Sequence, residues 1–245
     1  MSYSGILTGL GLRGRISCRK SVFGGKRVFQ QASFVKRGLL TESYARGPSG
    51  PPLIESTVGD HFAKIVAECG DRIAVISRHQ NDRATYASLD ARSNSLARGL
   101  ESVGVGKGER VGVMLGNSME YAVATYALFK LGAVLHRVQS TPEKKPRSNV
   151  PLLDDLVEDL HKSNLESALV PSLKNIIMVD NSEGRVDISS YKSLKPYASI
   201  MSQLTADGRP LPPRDLSPDE TVNIQFTSGT TSMPKAACLT HRSIP

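Results

Sequence analysis

The chain of 245 residues is 39% hydrophobic and 22% charged, which suits one sizeable folded core or part of a two-domain protein. No apolar run approaches the roughly 18 residues that a membrane-spanning helix requires, so we predict no transmembrane segment. The cysteines Cys18, Cys69 and Cys238 lie far apart without a C-x-x-C pair. This spacing predicts neither a disulfide framework nor a zinc site and indicates a reducing compartment.

The net charge of +8 is concentrated at the N-terminus. Residues 1–41 hold eight of the 31 basic residues and no acidic residue precedes Glu42, so the remaining 23 basic residues balance the 23 acidic ones. A basic, acid-free segment with scattered Ser, Leu, Ile, Val and Phe is typical of a mitochondrial transit peptide. We therefore predict that residues 1–47 are a disordered leader for the mitochondrial import machinery and that the protein is located in the matrix.

An alternative interpretation of the leader is a disordered basic tail that binds nucleic acid or an anionic membrane. The chain beyond residue 41 is neutral, so the excess positive charge belongs to the leader and not to the folded part. We therefore expect no nucleic-acid partner.

The first predicted elements follow a Gly- and Pro-rich linker at 47–52. Apolar residues at helical spacing predict a helix over 61–69, and a strand is expected at 72–77. A second helix has a stripe of apolar residues and ends near Gly104, because glycine tolerates the left-handed conformation that closes many helices. The residues of that stripe are Leu89, Leu96, Ala97 and Leu100.

The next elements alternate in the way an α/β fold requires. An apolar strand is predicted at 110–115, then a helix at 120–131 with Asn117 or Ser118 as its N-cap and Gly132 at its end, then a strand from 133. This alternation predicts a mostly parallel sheet flanked by helices.

The region that follows is less regular. Residues 136–150 are polar and broken by proline, so they are predicted to form a loop. A helix is expected from Pro151, with Asp154 and Asp155 in its first turn, where acidic groups complement the helix dipole. Further predictions are a strand at 175–180, a turn at 181–184, a helix at 189–204 and a proline-rich linker at 208–218.

The last elements enclose a segment rich in hydroxyl groups. Strands are predicted at 221–226 and 235–239, and residues 227–235 read TSGTTSMPK. Hydroxyls and free backbone N–H groups bind phosphate oxygens, glycine permits close approach, and lysine adds charge. The segment is not the P-loop of NTPases, because Pro234 stands where that loop needs glycine and Ala236 follows the lysine. A surface turn rich in Ser and Thr is the alternative to a nucleotide-phosphate loop.

The segment resembles the signature of AMP-forming acyl-CoA synthetases, members of the adenylate-forming superfamily. The resemblance spans roughly residues 55–135 and 170–245, and it is greatest to the mitochondrial medium-chain branch. Besides Ile224-Gln225-Phe226 before the loop, it is carried by residues in the order that the family uses. These are Ala84-Thr85-Tyr86, Leu89, Ser93-Asn94, Leu96-Ala97, Gly99-Leu100, Gly104, Lys107 to Val111, Asn117-Ser118, Glu120-Tyr121 and Lys130 to Val134.

The resemblance implies an activity with ATP, Mg²⁺ and coenzyme A, in which a fatty acid or another carboxylate is converted to an acyl adenylate and then to a thioester. It implies that the loop hydroxyls donate to the β- and γ-phosphates, that Gly229 permits close backbone approach and that Lys235 offsets charge. The hydroxyl donors are Thr227, Ser228, Thr230, Thr231 and Ser232. Ser232 and Ala236 stand where the family usually has glycine.

Two departures from the family shape the expectation for this chain. After Leu135 the family continues into at least one more helix and strand, so residues 136–150 indicate an internal deletion, a splice variant or a gene-model error, with a charged surface loop as the alternative. The family's adenine, magnesium and ribose elements and its C-terminal domain follow the phosphate loop. We therefore interpret 53–245 as a partial AMP-binding domain that is inactive by itself, and assign it neither a catalytic residue nor a metal ligand. The alternative is a non-catalytic remnant that binds a nucleotide or a partner.

Overall fold

The computed structural model describes residues 47, 50, 53–138, 149–182, 187–202, 211–227 and 234–244. The chain divides into two units, Met1–Ser49 and Gly50–Pro245. In the first unit only residue 47 is described, so the predicted disordered leader otherwise lies outside the described residues.

Five helices and eight strands are present in the described part of the second unit, together with two short 3-10 turns at Ile188–Ser190 and His241–Ser243. The helices are α1 (Val58–Cys69), α2 (Tyr86–Ser102), α3 (Met119–Leu131), α4 (Val150–Leu156) and α5 (Tyr197–Ser202). The strands are β1 (Ile73–Ser77), β2 (Asp82–Thr85), β3 (Arg110–Val113), β4 (Val134–Arg137), β5 (Ile176–Met178), β6 (Leu194–Pro196), β7 (Thr221–Thr227) and β8 (Lys235–Thr240).

The boundaries of the three longest helices follow from local capping chemistry. The side chains of Thr57, Thr85 and Ser118 accept hydrogen bonds from backbone N–H groups in the first turns of α1, α2 and α3. Gly132 has a φ of 67° and ends α3 in the left-handed conformation, as predicted. Each cap satisfies backbone groups that the helix itself leaves without partners.

The central sheet has the order β3-β4-β7-β8. Strand β4 runs parallel to both β3 and β7, whereas β7 and β8 are antiparallel. Two smaller sheets are an antiparallel hairpin of β1 and β2 and a parallel pair of β5 and β6. The predicted α/β class is confirmed, and the sheets are mixed rather than wholly parallel.

The main hydrophobic core lies where α1, α2 and α3 pack together and against β3, β4 and β7. Fully buried apolar residues from these elements include Leu89, Leu128, Leu131, Leu135 and Val222. A smaller cluster centres on Val150, Val157, Leu160 and Leu194. The larger core therefore supports the central sheet, and the smaller one joins α4 to β6.

The core also contains a buried cation on α3. Lys130 Nζ lies 2.7 Å from each of Asp90 Oδ1, Ser93 Oγ and Asn94 Oδ1, and 5.4 Å from the centre of the Phe62 ring. The lysine side chain is 10% exposed. Three acceptors and an aromatic face thus surround its charge and connect α3 to α2 and α1.

The predicted loop at 136–150 is wrong at both ends. His136 and Arg137 belong to β4, where His136 is in register with Gly112 of β3 and Ile224 of β7. Neighbouring strands on both sides supply backbone partners, so polar side chains do not end this strand. At the other end, Val150 begins α4, and the residues between, 139–148, lie outside the described part of the chain.

Other differences concern the middle of the chain. The predicted helix at 189–204 is instead a 3-10 turn, β6 and the six-residue α5, because the backbone of β6 pairs with that of β5. Helix α4 begins at Val150, so Asp154 and Asp155 do not lie in its first turn and do not complement its dipole there. Strand β2 was not predicted; its Ala84 is fully buried and opposite Val75.

Candidate phosphate-binding hairpin

The predicted hairpin around the hydroxyl-rich segment is present. Strands β7 and β8 pair along their length, from Asn223 opposite Leu239 to Thr227 opposite Lys235. At the loop end of the hairpin, the Thr227 hydroxyl donates to the carbonyl oxygen of Lys235 at 3.3 Å. Thus Thr227 and Lys235, both predicted phosphate contacts, are brought together. The other predicted contacts lie outside the described residues: Ser228, Gly229, Thr230, Thr231 and Ser232.

The hairpin opens at the edge of the sheet where ligands bind in open α/β folds. Because β4 and β7 are parallel, their carboxyl ends lie at the same edge of the sheet. In such sheets the ligand crevice lies outside the carboxyl ends of the strands. Thr227 is the last residue of β7, and it is exposed. We call this region, formed by the ends of β4 and β7 and the start of β8, the carboxyl edge.

Lys235 supplies positive charge at the carboxyl edge. Its side chain is exposed and makes no hydrogen bond or ion pair with any residue in the described ranges. A lysine without a carboxylate partner keeps its full charge available to an anion. Together with the Thr227 hydroxyl, it gives the edge the donor chemistry that phosphate oxygens require.

Sequence reasoning missed two separate side-chain pairs beside the hairpin, one aromatic and one cationic. The rings of His136 and Phe226 lie 5.1 Å apart at an angle of 42°, and Phe226 is 51% exposed. The guanidinium carbon of Arg137 lies 5.5 Å from the centre of the Tyr121 ring. The signal was present in the sequence, since the strand predicted from 133 had only to continue for two more residues.

The opposite end of the hairpin is fixed by His241, which directly follows β8. The imidazole is fully buried, and its Nδ1 accepts a hydrogen bond of 3.2 Å from the backbone N–H of Val58 at the start of α1. Burial lowers the pKa of His241, while the nearby carboxylates of Glu220 and Asp60 oppose that shift. Acceptance at Nδ1 and burial both favour the neutral ring.

The neighbouring Arg242 strengthens this anchor. Its guanidinium donates to Asp219 Oδ1 at 2.8 Å and to Glu55 Oε1 at 3.0 Å. The backbone N–H of Arg242 also donates to the carbonyl oxygen of Pro218 at 2.9 Å. The end of the hairpin away from the loop is therefore held by the residues just before β7 and by those at and before the start of α1.

The described residues fit a polyphosphate better than a metal ion. Within 53–138, 149–182, 187–202, 211–227 and 234–244, no group of three or more His, Cys, Asp and Glu side chains is placed to hold a metal. Likewise, no helix in those ranges is long and apolar enough to cross a bilayer. The donor groups of Thr227 and Lys235 instead match an anionic ligand.

Comparison with known proteins agrees with this geometry. The sequence profile of the family described as "AMP-binding enzyme" matches residues 62–244, which is most of the chain. The chain belongs to the AMP-binding enzyme family. The resemblance inferred from TSGTTSMPK and the upstream residues is thereby confirmed at the level of the family.

Curated relatives of this AMP-binding chain include acyl-CoA ligases. It is 32% identical over 220 residues to the acyl-CoA ligase SID4 of Ajellomyces capsulatus, covering 81% of this chain and 36% of that protein. It is 27% identical over 227 residues to the mitochondrial medium-chain acyl-CoA ligase ACSF2 of Mus musculus, covering 82% and 36%. The chain therefore spans about a third of the length of the relatives that it matches.

Solved structures confirm the fold of this AMP-binding chain. The N-terminal subdomain of Klebsiella oxytoca NpsA, in complex with 3-hydroxybenzoyl-AMSN, matches with a TM-score of 0.54 and 22% identity, covering 80% of this chain and 43% of that one. The N-terminal domain of FACL13 from Mycobacterium tuberculosis matches with a TM-score of 0.54 and 22% identity, covering 77% and 45%. Both neighbours are N-terminal parts of larger proteins, as their names state.

Proposed function

We propose that this chain carries the nucleotide-phosphate-binding part of an AMP-forming acyl-CoA ligase. The observation that carries the proposal is the hairpin of β7 and β8, which places Thr227 and the exposed cation of Lys235 at the carboxyl edge of the sheet. The family match and the acyl-CoA ligases among the relatives support it.

The residues of the hairpin act by binding and charge neutralisation. Lys235 offsets negative charge on the β- and γ-phosphates, and a charge-assisted hydrogen bond of this kind contributes about 1.5–3 kcal/mol. The Thr227 hydroxyl is held near the loop by a weak 3.3 Å bond to a carbonyl group, so it is free to turn towards a phosphate oxygen. We assign the same donor role to Ser228, Thr230, Thr231 and Ser232, and close backbone approach to Gly229.

When bound, ATP supplies the α-phosphorus that a substrate carboxylate attacks, and coenzyme A accepts the acyl group from the adenylate. The chain's contribution is to orient the polyphosphate so that pyrophosphate leaves with its charge neutralised. Magnesium is expected with the nucleotide. We assign it no protein ligand, because the carboxyl edge offers hydroxyl and ammonium donors rather than carboxylates.

We further propose that the substrate is a fatty acid or a related carboxylic acid and that the protein is mitochondrial. The relatives support a carboxylate substrate, and ACSF2 proteins of several vertebrates are named as mitochondrial. The acid-free segment 1–41 with its charge of +8 supports import. Matrix localisation of a fluorescent protein fused to residues 1–47, lost when the arginines become glutamine, tests this assignment.

Equilibrium binding of MgATP to the full chain tests the function. We expect Lys235→Met to weaken the affinity about tenfold, which corresponds to ~1.4 kcal/mol. Lys64→Met, the matched control, removes an exposed lysine from α1 and should leave the affinity unchanged. The proposal is wrong if both variants bind MgATP as the unaltered chain does, or if both lose the same affinity.

Carboxylate-dependent exchange of pyrophosphate into ATP then tests whether the chain is active by itself. If MgATP binds in a Lys235-dependent way but no carboxylate supports exchange, the chain is inactive by itself, as its sequence predicts. Exchange that requires a fatty acid and is slowed by Lys235→Met would show instead that the chain forms an acyl adenylate without further elements.

A further inference from the structure

Arg137 lies at the end of β4, beside the candidate phosphate hairpin. It is the last residue of its strand and pairs in register with Val113 of β3. On the other side, the preceding residue His136 is in register with Ile224 of β7. Arg137 therefore lies at the carboxyl edge, on the strand directly beside β7, which leads into the loop.

The pairing register places Arg137, Thr227 and Lys235 on one face of the sheet. Side chains alternate along a strand, and residues directly opposite each other share a face. Leu135 is opposite Asn223, so Arg137 and Thr227, each an even number of residues further on, lie on that same face. Thr227 is opposite Lys235, which extends the shared face to β8.

The guanidinium of Arg137 has no anionic partner among the residues that the structure describes. Its recorded side-chain contact is the ring of Tyr121, 5.5 Å away on α3. The acidic residue before Tyr121 in the sequence is Glu120, and its carboxylate accepts a hydrogen bond of 2.9 Å from Nε2 of Gln80. Arg137 is half-buried, so the stacking fixes its position while its N–H donors stay available to an anion.

The spacing of the two cations suits an extended anion. Adjacent strands lie about 4.8 Å apart, so β4 and β8 are separated by roughly 10 Å, with β7 between them. Arginine and lysine side chains reaching from those strands can contact different phosphates of one chain.

We propose that Arg137 is a second cationic contact for the polyphosphate of the nucleotide, acting together with Lys235. The inference rests on the proposed function and specifies it further, because it assigns a residue outside the hydroxyl-rich loop to the same ligand. Arginine suits this task, since its planar fork can donate two parallel hydrogen bonds to one phosphate.

Binding of MgATP, tripolyphosphate and AMP to the full chain, measured by titration calorimetry, tests this assignment. Arg137→Met keeps an apolar side chain against Tyr121 but removes the charge; we expect MgATP and tripolyphosphate to bind about tenfold more weakly and AMP to bind nearly as before. Arg137→Lys restores the charge and should recover most of that loss. Arg110→Met, at the amino end of β3, is the matched control and should bind all three as the unaltered chain does.

A packing role for Arg137 gives a different pattern. If the residue acts only by stacking on α3, Tyr121→Leu will weaken tripolyphosphate binding as much as Arg137→Met does, and Arg137→Lys will not recover the loss. The two results together overturn the proposal, since Tyr121→Leu alone also removes the ring that positions the Arg137 guanidinium. If urea denaturation shows that Arg137→Met is unfolded, Arg137→Gln replaces it in these measurements, because it removes the same charge and keeps a polar side chain.

Comparison with Lys235→Met separates the two proposals. If Lys235→Met weakens polyphosphate binding and Arg137→Met does not, Arg137 is not a ligand contact, while the hairpin function stands. If Arg137→Met weakens AMP as strongly as MgATP, the contact is not with the polyphosphate and the inference is wrong. If neither substitution changes binding, both proposals fail.

Discussion

Two lysines in this protein have opposite environments. Lys130 lies in the core, with its Nζ at 2.7 Å from three acceptors on α2 and a side chain that is 10% exposed. Lys235 lies at the carboxyl edge, exposed and without a recorded side-chain partner in the described residues. The protein neutralises the first charge itself, and we propose that the second is available to a ligand. The environment of each charge, rather than its presence, is the basis for assigning the two lysines different roles.

The environments also differ in their effect on protonation. Burial lowers the pKa of Lys130, while the hydrogen bond and the charge of Asp90 oppose that shift. The three acceptors around Nζ favour its charged form and connect α3 to α2. At the carboxyl edge we propose that a bound anion supplies the acceptors.

Replacing Lys130 should have the largest effect on stability. Lys130→Met leaves the Asp90 carboxylate and the polar groups of Ser93 and Asn94 without their cation, and breaking a buried pair in this way costs about 3–5 kcal/mol. The free energy of unfolding from urea denaturation measures the loss. Lys235→Met, the same substitution at the carboxyl edge, should change it by less than about 0.5 kcal/mol. Similar losses in the free energy of unfolding for the two variants would contradict the proposed difference between the two lysines.

A smaller loss is expected where α2 meets α5 in the same core. A Cβ added at Gly99 would overlap the carbonyl oxygen of Ile200 and lie 2.6 Å from its Cγ2. Gly99→Ala should therefore destabilise the fold by about 1–3 kcal/mol, since overpacked sites relax only in part. The control, Gly106→Ala, adds its methyl group where nothing lies within 4 Å. Equal unfolding midpoints for both variants in urea would contradict this contact.

The smallest expected effect is the pH dependence of stability that arises from His241, at the end of the hairpin away from the loop. Burial lowers the pKa of His241 below its ordinary value of 6.5, so the folded protein holds the ring neutral. The stabilisation is complete above that value and is lost as the pH falls through it towards the lowered folded pKa. Protonation also removes the Nδ1 acceptor from the Val58 N–H, a bond that contributes about 1 kcal/mol.

Comparing His241 with asparagine isolates that contribution. His241→Asn can keep an acceptor oxygen near Val58 but does not titrate. We expect the unaltered chain to lose more stability in urea than the variant when the pH is lowered from neutral to mildly acidic. Parallel losses would show that the carboxylates near the ring, Glu220 and Asp60, determine the pH response instead.

Local chemistry made much of the fold predictable. Ser118 and Gly132 mark the two ends of α3 by capping geometry that depends on their own side chains or lack of one. The hairpin was predictable because apolar β7 and β8 flank a segment too rich in hydroxyls to continue as a strand. These signals are confined to a few neighbouring residues, which a single sequence displays.

The errors arose where distant pairing overrides local pattern. His136 and Arg137 look like loop residues, yet β3 and β7 lie on either side of β4 and extend it. The pairing of β5 with β6 likewise replaced part of a predicted helix. At the candidate site, Thr227 and Lys235 were predicted from the hydroxyl-rich segment and its resemblance to the family, whereas the proposal for Arg137 required the register of three strands. Sheet register depends on how distant strands pair in the assembled fold, so no single segment of the sequence determines it.

Hydrogen exchange with and without MgATP tests most directly whether the carboxyl edge is the phosphate site. The account predicts that amides in peptides spanning residues 226–236 exchange more slowly with MgATP, that AMP protects them less, and that peptides covering β1 and β2 do not change. It would be contradicted by unchanged exchange at 226–236, whether or not MgATP protects another part of the chain.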